Sequence, residues 1–492
     1  VIPMAVGVFL TALDGTIVVS SYAAIGNDLN ELQKTSWIAT AYLLTLTSFQ
    51  PLYGKLSDIF GRKSCLLFAY TLFAIGCILC GSARNMNELI VSHAFQGISG
   101  GGMQTLVSII MSDLVPLRSR LVNIVWSCGN SAGASLGGYL ADTIGWRWVF
   151  YIQVPLAIIS TISVYFFLHL PVPPAASRPD TDFRTKFRRI DFAGAITLVL
   201  AVFLLLLGFD RGGDIGWNNR LTVSLLVGFS IFAVGFGFIE ARIAAEPLAP
   251  TRITVNRALV ASYLVNFFGI AGAFAQLFHI SLYLQAVLGK TASETGTWLV
   301  IVVVTALMGS LGGGLIMQST GKYYVLTCVA YVVLVFGTVA VLTGTGYMGL
   351  PKSTAQIIVG LALTSWGNGC GITTSLVSLI ANAGQADQAI ATAVSYLFRS
   401  LGSVIGLSIG STLVQSTLRS VLHRTLKGKN VEEIVQRVRE SLDYLKELDP
   451  ETRAIVRSAY GDAIHNTLIF SVSMALAAMI SSWFIIEKSL TR

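Results

Sequence analysis

Apolar runs of about twenty residues recur from one end of this chain to the other, and no other feature limits its fold so strongly. Their rough limits are 3–25, 37–54, 64–82, 88–111, 121–141, 148–170, 191–209, 221–240, 258–286, 297–317, 323–344, 355–381, 388–416 and 463–486. Each run is long enough to cross about 30 Å of hydrocarbon as a helix. Of the 492 residues, 54% are hydrophobic and 12% charged. A soluble protein carries about 25% charged residues, so this chain cannot cover a water-facing surface. Ten-residue stretches of period-two alternation are absent, which argues against a β-barrel. The expectation is an all-α membrane protein with about fourteen transmembrane helices, and the 47 glycines suit helices that approach closely.

The net charge of +8 reads as basic loops beside anionic lipid headgroups rather than as a nucleic-acid surface. Basic residues are denser in the loops after even-numbered runs, which places both termini in the cytosol; the long, basic stretch 417–462 argues the other way, but long loops cross with less regard for charge. Within it, Val431–Leu448 has the pattern of an amphipathic helix at the membrane surface. The first run is too long for a signal peptide and lacks a basic start; a chain opening on Val1 is expected to follow a longer natural tail. The cysteines fall inside apolar runs, without the spacing of a disulfide framework or zinc site. No P-loop, HExxH or GxSxG string is present, so no cofactor, metal or enzymatic reaction is expected.

Asp14 is the one charge in the run Val1 to Ile25. A carboxylate at membrane depth costs a few kcal/mol on insertion scales and marks a partner, a cavity or an ion path. It is the first candidate for proton coupling. The fourth run adds His93 and Gln96, in His93-Ala94-Phe95-Gln96-Gly97. A histidine there supplies a switchable charge, and His93 is the expected partner of Asp14. Arg399 lies about twelve residues into its run, an intramembrane charge with a structural or gating role. Asn266, Gln276, His279, Tyr283 and Gln285 add polar groups along the ninth run. Of these, Asn266, Gln276 and Tyr283, with Gln96, Trp366, Asn368 and Tyr396, are candidates to line a substrate cavity.

Between the second and third runs stands Gly54-Lys55-Leu56-Ser57-Asp58-Ile59-Phe60-Gly61-Arg62-Lys63. Its glycines permit a tight turn. Asp58 suits a helix N-terminus or an Arg, while Arg62 and Lys63 suit helix-end carbonyls. This string resembles the signature loop of the major facilitator superfamily, where it latches the two halves. Leu13-Asp14-Gly15-Thr16-Ile17-Val18-Val19 resembles the first-helix motif of the 14-helix drug:proton antiporters. Ser36-Trp37-Ile38-Ala39-Thr40-Ala41-Tyr42, Ser112-Asp113-Leu114-Val115-Pro116-Leu117-Arg118-Ser119-Arg120 and Gly145-Trp146-Arg147-Trp148 resemble the fungal vacuolar basic amino-acid transporters of that family. The chain departs from the family in three places. His93 stands where an Arg linked to proton coupling is usual, Ser135 where the antiporter motif has Pro, and Arg120 runs into Leu121 without some intervening residues. Gly129, Gly133 and Gly137-Gly138 keep that motif's small-residue spacing, which places them on one helix face.

The resemblance implies a major facilitator fold. Residues 1–170 form an N-terminal six-helix bundle, 171–257 a cytosolic linker with an inserted helix pair, and 258–492 a C-terminal six-helix bundle. It implies a monomeric, proton-coupled antiporter that exports small cationic solutes. Basic amino acids entering the vacuole are the leading reading. A plasma-membrane multidrug or toxin exporter and a non-transporting nutrient sensor are the alternatives.

Overall fold

The computed structural model describes residues 2–114, 119–168, 191–244, 251–384, 387–426 and 431–488. Each apolar run coincides with one long helix. In chain order these are α1 (Ile2–Asp28), α2 (Thr35–Phe60), α3 (Arg62–Ser82), α4 (Met86–Leu114) and α5 (Ser119–Thr143). Next come α6 (Trp148–Phe167, broken once at Ile152), α7 (Phe192–Ile215), α8 (Arg220–Arg242) and α9 (Arg257–Ala286). The last are α10 (Ala292–Thr320), α11 (Tyr324–Gly344), α12 (Thr354–Ala383), α13 (Gln388–Thr425) and α14 (Pro450–Ser482).

Local chemistry sets their ends. Gly61, at φ +89°, separates α2 from α3 in a backbone region that L side chains rarely adopt. Thr291 and Glu294 form a reciprocal capping box at the start of α10, and Asp449 caps α14 just ahead of Pro450. Among the described residues, 10 helices are long and apolar enough to cross a membrane. The four outside that set, α2, α4, α5 and α12, carry Gly, Ser, Thr and Gln on faces that other helices cover. A Cβ at Gly97 of α4 would run into Thr45 and the Tyr42 carbonyl, and one at Gly367 of α12 into the Ala330 carbonyl. Their lower apolarity belongs to the interior, where close backbone approach replaces bulk.

The packing is that of two bundles. In the first, α1 lies on α5, α2 on α4, and α3 on α4 and α6; in the second, α9 lies on α13 and α14, and α12 on α10 and α11. The pair α7–α8 packs on itself and reaches the rest through α7 against α2 and α13. Val227, Ile231, Val234 and Phe238 of α8 are exposed, as are Ile159, Ile162, Phe166 and Phe167 of α6. Apolar faces of this extent fit lipid, not water. The bundles meet along α5–α10 and α2–α13.

At the end where α5 stops and α10 begins, the halves are tied together. Asp142 accepts from the Ser293 amide at 2.7 Å, and Ser281 donates to the Val19 carbonyl at 3.2 Å. Asn27, at the end of α1, donates to Asp443 at 2.9 Å and accepts from the Leu442 amide at 2.7 Å. The expected membrane-surface helix is corrected here. The helix is Val431–Glu440, followed by Tyr444–Glu447, and its apolar side packs on protein. Val435, Val438, Leu445 and Leu448 are buried in the core shared with α9, α13 and α14, and Tyr460 donates to the Val438 carbonyl at 2.7 Å. An amphipathic pattern records that one face is covered; it does not say by what. The linker at 171–190 lies outside the described residues.

Candidate functional site

Asp14 is 0% exposed and lies inside the N-terminal bundle, with its carboxylate among side chains from α4 and α6 rather than against lipid. Its Oδ1 accepts from Gln96 Nε2 at 2.9 Å and from Gln153 Nε2 at 3.0 Å. Its Oδ2 lies 3.2 Å from His93 Nε2. The opposite ring nitrogen, His93 Nδ1, lies 2.9 Å from the Ile38 carbonyl of α2. Tyr42, also on α2, stacks on the imidazole with centroids 4.6 Å apart, and Phe150 meets it edge-on at 5.7 Å. Gln96 is held in turn by Cys77 and Cys80, each sulfur 3.3 Å from its amide group.

This arrangement has a definite proton inventory. Both ring nitrogens of His93 face oxygen acceptors. Two protons therefore satisfy the chain from Ile38 through His93 to Asp14, as imidazolium with carboxylate or as neutral imidazole with carboxylic acid. With one proton removed, either tautomer leaves a nitrogen lone pair opposed to an oxygen lone pair in a buried site. Such an unsatisfied contact costs about 1–3 kcal/mol or more. The pair thus links three helices, α1, α2 and α4, through one chain of hydrogen bonds.

The expected Asp14–His93 partnership and Gln96 are brought together. Gln153 is a fourth member, missed from the sequence although it is a lone amide near the start of the apolar run 148–170, a signal of the same kind that marked Asp14. The glycines of α5 lie beside this site. A Cβ at Gly129 would meet the Phe9 carbonyl, at Gly133 the Leu13 carbonyl and Thr16, and at Gly137 the Ile17 carbonyl and Ser20, so α5 lies on α1 on both sides of Asp14. Gly138 departs from the single face expected of these four. It abuts the Ala292 carbonyl of α10, in the other half. One step along a helix turns a residue by about 100°, so Gly137 and Gly138 serve different neighbours.

In the signature loop, Gly61 makes the α2–α3 break, and Lys63 donates to the Tyr165 carbonyl at 2.8 Å, tying α3 to α6. Arg62 is partly buried at the head of α3. Gly54 lies inside α2 and makes no turn, so the expected tight turn rests on Gly61 alone, and the side chain of Asp58 lies outside what is described. The remaining cavity candidates do not gather in one place. Asn266 donates to the Ser262 carbonyl at 2.8 Å and to Ser375 at 3.2 Å, within the C-terminal bundle. Tyr283 donates to the Thr345 carbonyl at 3.0 Å, near the end of that bundle where α11 stops. Gln276 is buried with its carbonyl oxygen unpartnered. Trp366 and Asn368 of α12 and Tyr396 of α13 are partly buried, and the Arg399 guanidinium lies over the Tyr396 ring at 5.2 Å.

The chain belongs to the major facilitator superfamily: the model of that family matches residues 4–407. It is therefore a multi-pass membrane transporter of small molecules and not an enzyme. It is 39% identical to the vacuolar membrane amino acid uptake transporter fnx2 of Schizosaccharomyces pombe, over 98% of this chain and 83% of the relative. It is 37% identical to multidrug resistance protein fnx1 of the same yeast, over 97% and 89%. It is 32% identical to vacuolar basic amino acid transporter 2 of Saccharomyces cerevisiae, over 91% and 96%. Among solved structures, a bacterial homologue of the human lysosomal transporter Spinster, inward-facing and unoccupied, aligns over 98% of this chain and 96% of its own. The TM-score is 0.61 at 14% identity, a likeness of fold.

Proposed function

We propose that the chain is a proton-coupled antiporter that carries small cationic solutes out of the cytosol, above all basic amino acids into the vacuole. The observation that carries this reading is the Asp14–His93 pair, sealed from solvent and short of a partner whenever one proton leaves. In the cytosol-open state the proton departs, the pair loses one of its hydrogen bonds, and Asp14 becomes an uncompensated carboxylate that attracts a cation. In the lumen-open state the acidic compartment returns the proton and the cation is released. The halves 1–170 and 258–492 rock about this site, with both termini cytosolic, all fourteen helices spanning the membrane, and 171–257 outside the path. The protein works as a monomer.

The relatives that are amino-acid transporters of the vacuole support this substrate and compartment. The relative named for multidrug resistance supports a second reading, efflux of cationic drugs at the plasma membrane. Purified protein in vesicles with an imposed pH gradient decides between them. Labelled arginine accumulates in the acidic interior under the first reading, and Asp14→Asn abolishes it. Dye efflux without arginine flux supports the second. Arginine binding with no flux of any kind points to a sensor and overturns both.

A further inference from the structure

The C-terminal bundle holds a cation that the proton site does not use. Arg399 sits in the interior of α13, partly buried, and its guanidinium lies over the face of Tyr396. No carboxylate lies within ion-pair distance of it among the described residues. In the same bundle, two more polar groups have no hydrogen-bond partner among the described residues. Tyr331 of α11 is 0% exposed, and its ring passes between two glycines of neighbouring helices, Gly371 of α12 and Gly269 of α9. A Cβ at Gly371 would lie 2.6 Å from that ring, and one at Gly269 3.2 Å from it. Their absence lets the phenol reach through toward the bundle interior. Among the described residues its hydroxyl has no hydrogen-bond partner, and it lies within electrostatic reach of Arg399. The carbonyl oxygen of Asn368 is also unpartnered, 3.5 Å from the same Gly269 position.

A buried phenol and an intramembrane guanidinium without acceptors are costly in a finished core. Two donor groups, one carrying a full positive charge, ask for an anion with two oxygens. Arg is the side chain best matched to such a group, because its planar fork meets a carboxylate bidentately. We propose that Arg399 and Tyr331 form the subsite that binds the substrate's carboxylate, with the Asn368 carbonyl positioned to accept from the neighbouring ammonium group. The substrate class is then an α-amino acid rather than a simple amine. This deepens the transporter reading and rests on it only for the claim that the occupant is cargo. The subsite lies in the half opposite Asp14, so an amino acid with a basic side chain would present opposite charges to the two bundles.

The test is equilibrium binding to the purified full chain without a pH gradient, comparing arginine with its decarboxylated analogue agmatine. Wild-type protein binds arginine and prefers it to agmatine. Arg399→Gln weakens arginine binding about ten- to a hundred-fold and leaves agmatine within about twofold. Tyr331→Phe removes only the hydroxyl and gives a smaller loss, about three- to ten-fold, again confined to arginine. Equal losses for both ligands, no loss in either variant, or wild-type protein that binds no amino acid each overturn the assignment. Selective losses in a protein that shows no proton-driven flux leave the carboxylate subsite standing and overturn the coupling scheme instead.

Discussion

Asp14 shows how much of a site one residue can announce. A lone acid in an apolar run has few tolerable surroundings, so a buried partnership with His93 was expected from sequence, whereas Gln96 was expected only to line a cavity. Gln153 was not expected, because an uncharged amide near a run's end is compatible with many environments. Tyr331 was invisible for a related reason: an aromatic residue inside an apolar run reads as core, and only the two facing glycines reveal where its hydroxyl goes. Two outcomes belong at this scale. His93→Gln supplies one donor and one acceptor but no exchangeable proton. Exchange driven by a substrate gradient should persist while accumulation driven by pH is lost, measured in the same vesicles. Gln153→Leu takes one of two amide donors from Asp14 Oδ1 and should lower stability by about 1–3 kcal/mol, seen as a fall in the melting temperature of the purified protein.

Helix positions were legible throughout, since length and apolarity alone limit a membrane-spanning element. What each helix touches was legible only in part. The spacing of Gly129, Gly133 and Gly137 predicted a close-packed face, yet it could not name α1 as the neighbour or assign Gly138 to α10. The two glycines therefore make separable predictions. Gly133→Val drives a branched side chain into the α1 backbone and should reduce the yield of folded protein. Gly138→Val disturbs only the seam between the halves. It should leave folding intact and open the α5–α10 end, so that a cysteine placed at Ser281 is labelled faster by a thiol reagent. Capping of α14 adds a pH dependence. The Thr452 amide and hydroxyl donate to the Asp449 carboxylate and hold its pKa below the ordinary aspartate range. A carboxyl depressed on folding stabilises fully above its unfolded pKa and loses that contribution as the pH falls through the folded value. Exchange of the Thr452 amide should accordingly quicken only in acid below the usual aspartate range, and Asp449→Asn should remove that pH dependence.

For the whole molecule, two bundles and an inserted pair were expected from the family resemblance and not from the apolar runs alone, which fix only the number and order of the helices. The stretch 431–448 was misjudged because an amphipathic pattern shows that one face is covered and not by what, here largely the ends of α13 and α14 that flank it in sequence. That misjudged stretch carries a mechanical consequence. Asn27 fastens it to the last turn of α1, the same rod that bears Asp14 about four turns away. A rod pinned at one end and loaded in the middle transmits its displacement to the pin. A shift of α1 would therefore strain the clasp that joins the two halves, so movement of that helix and unlatching become one stroke instead of two events that need separate timing.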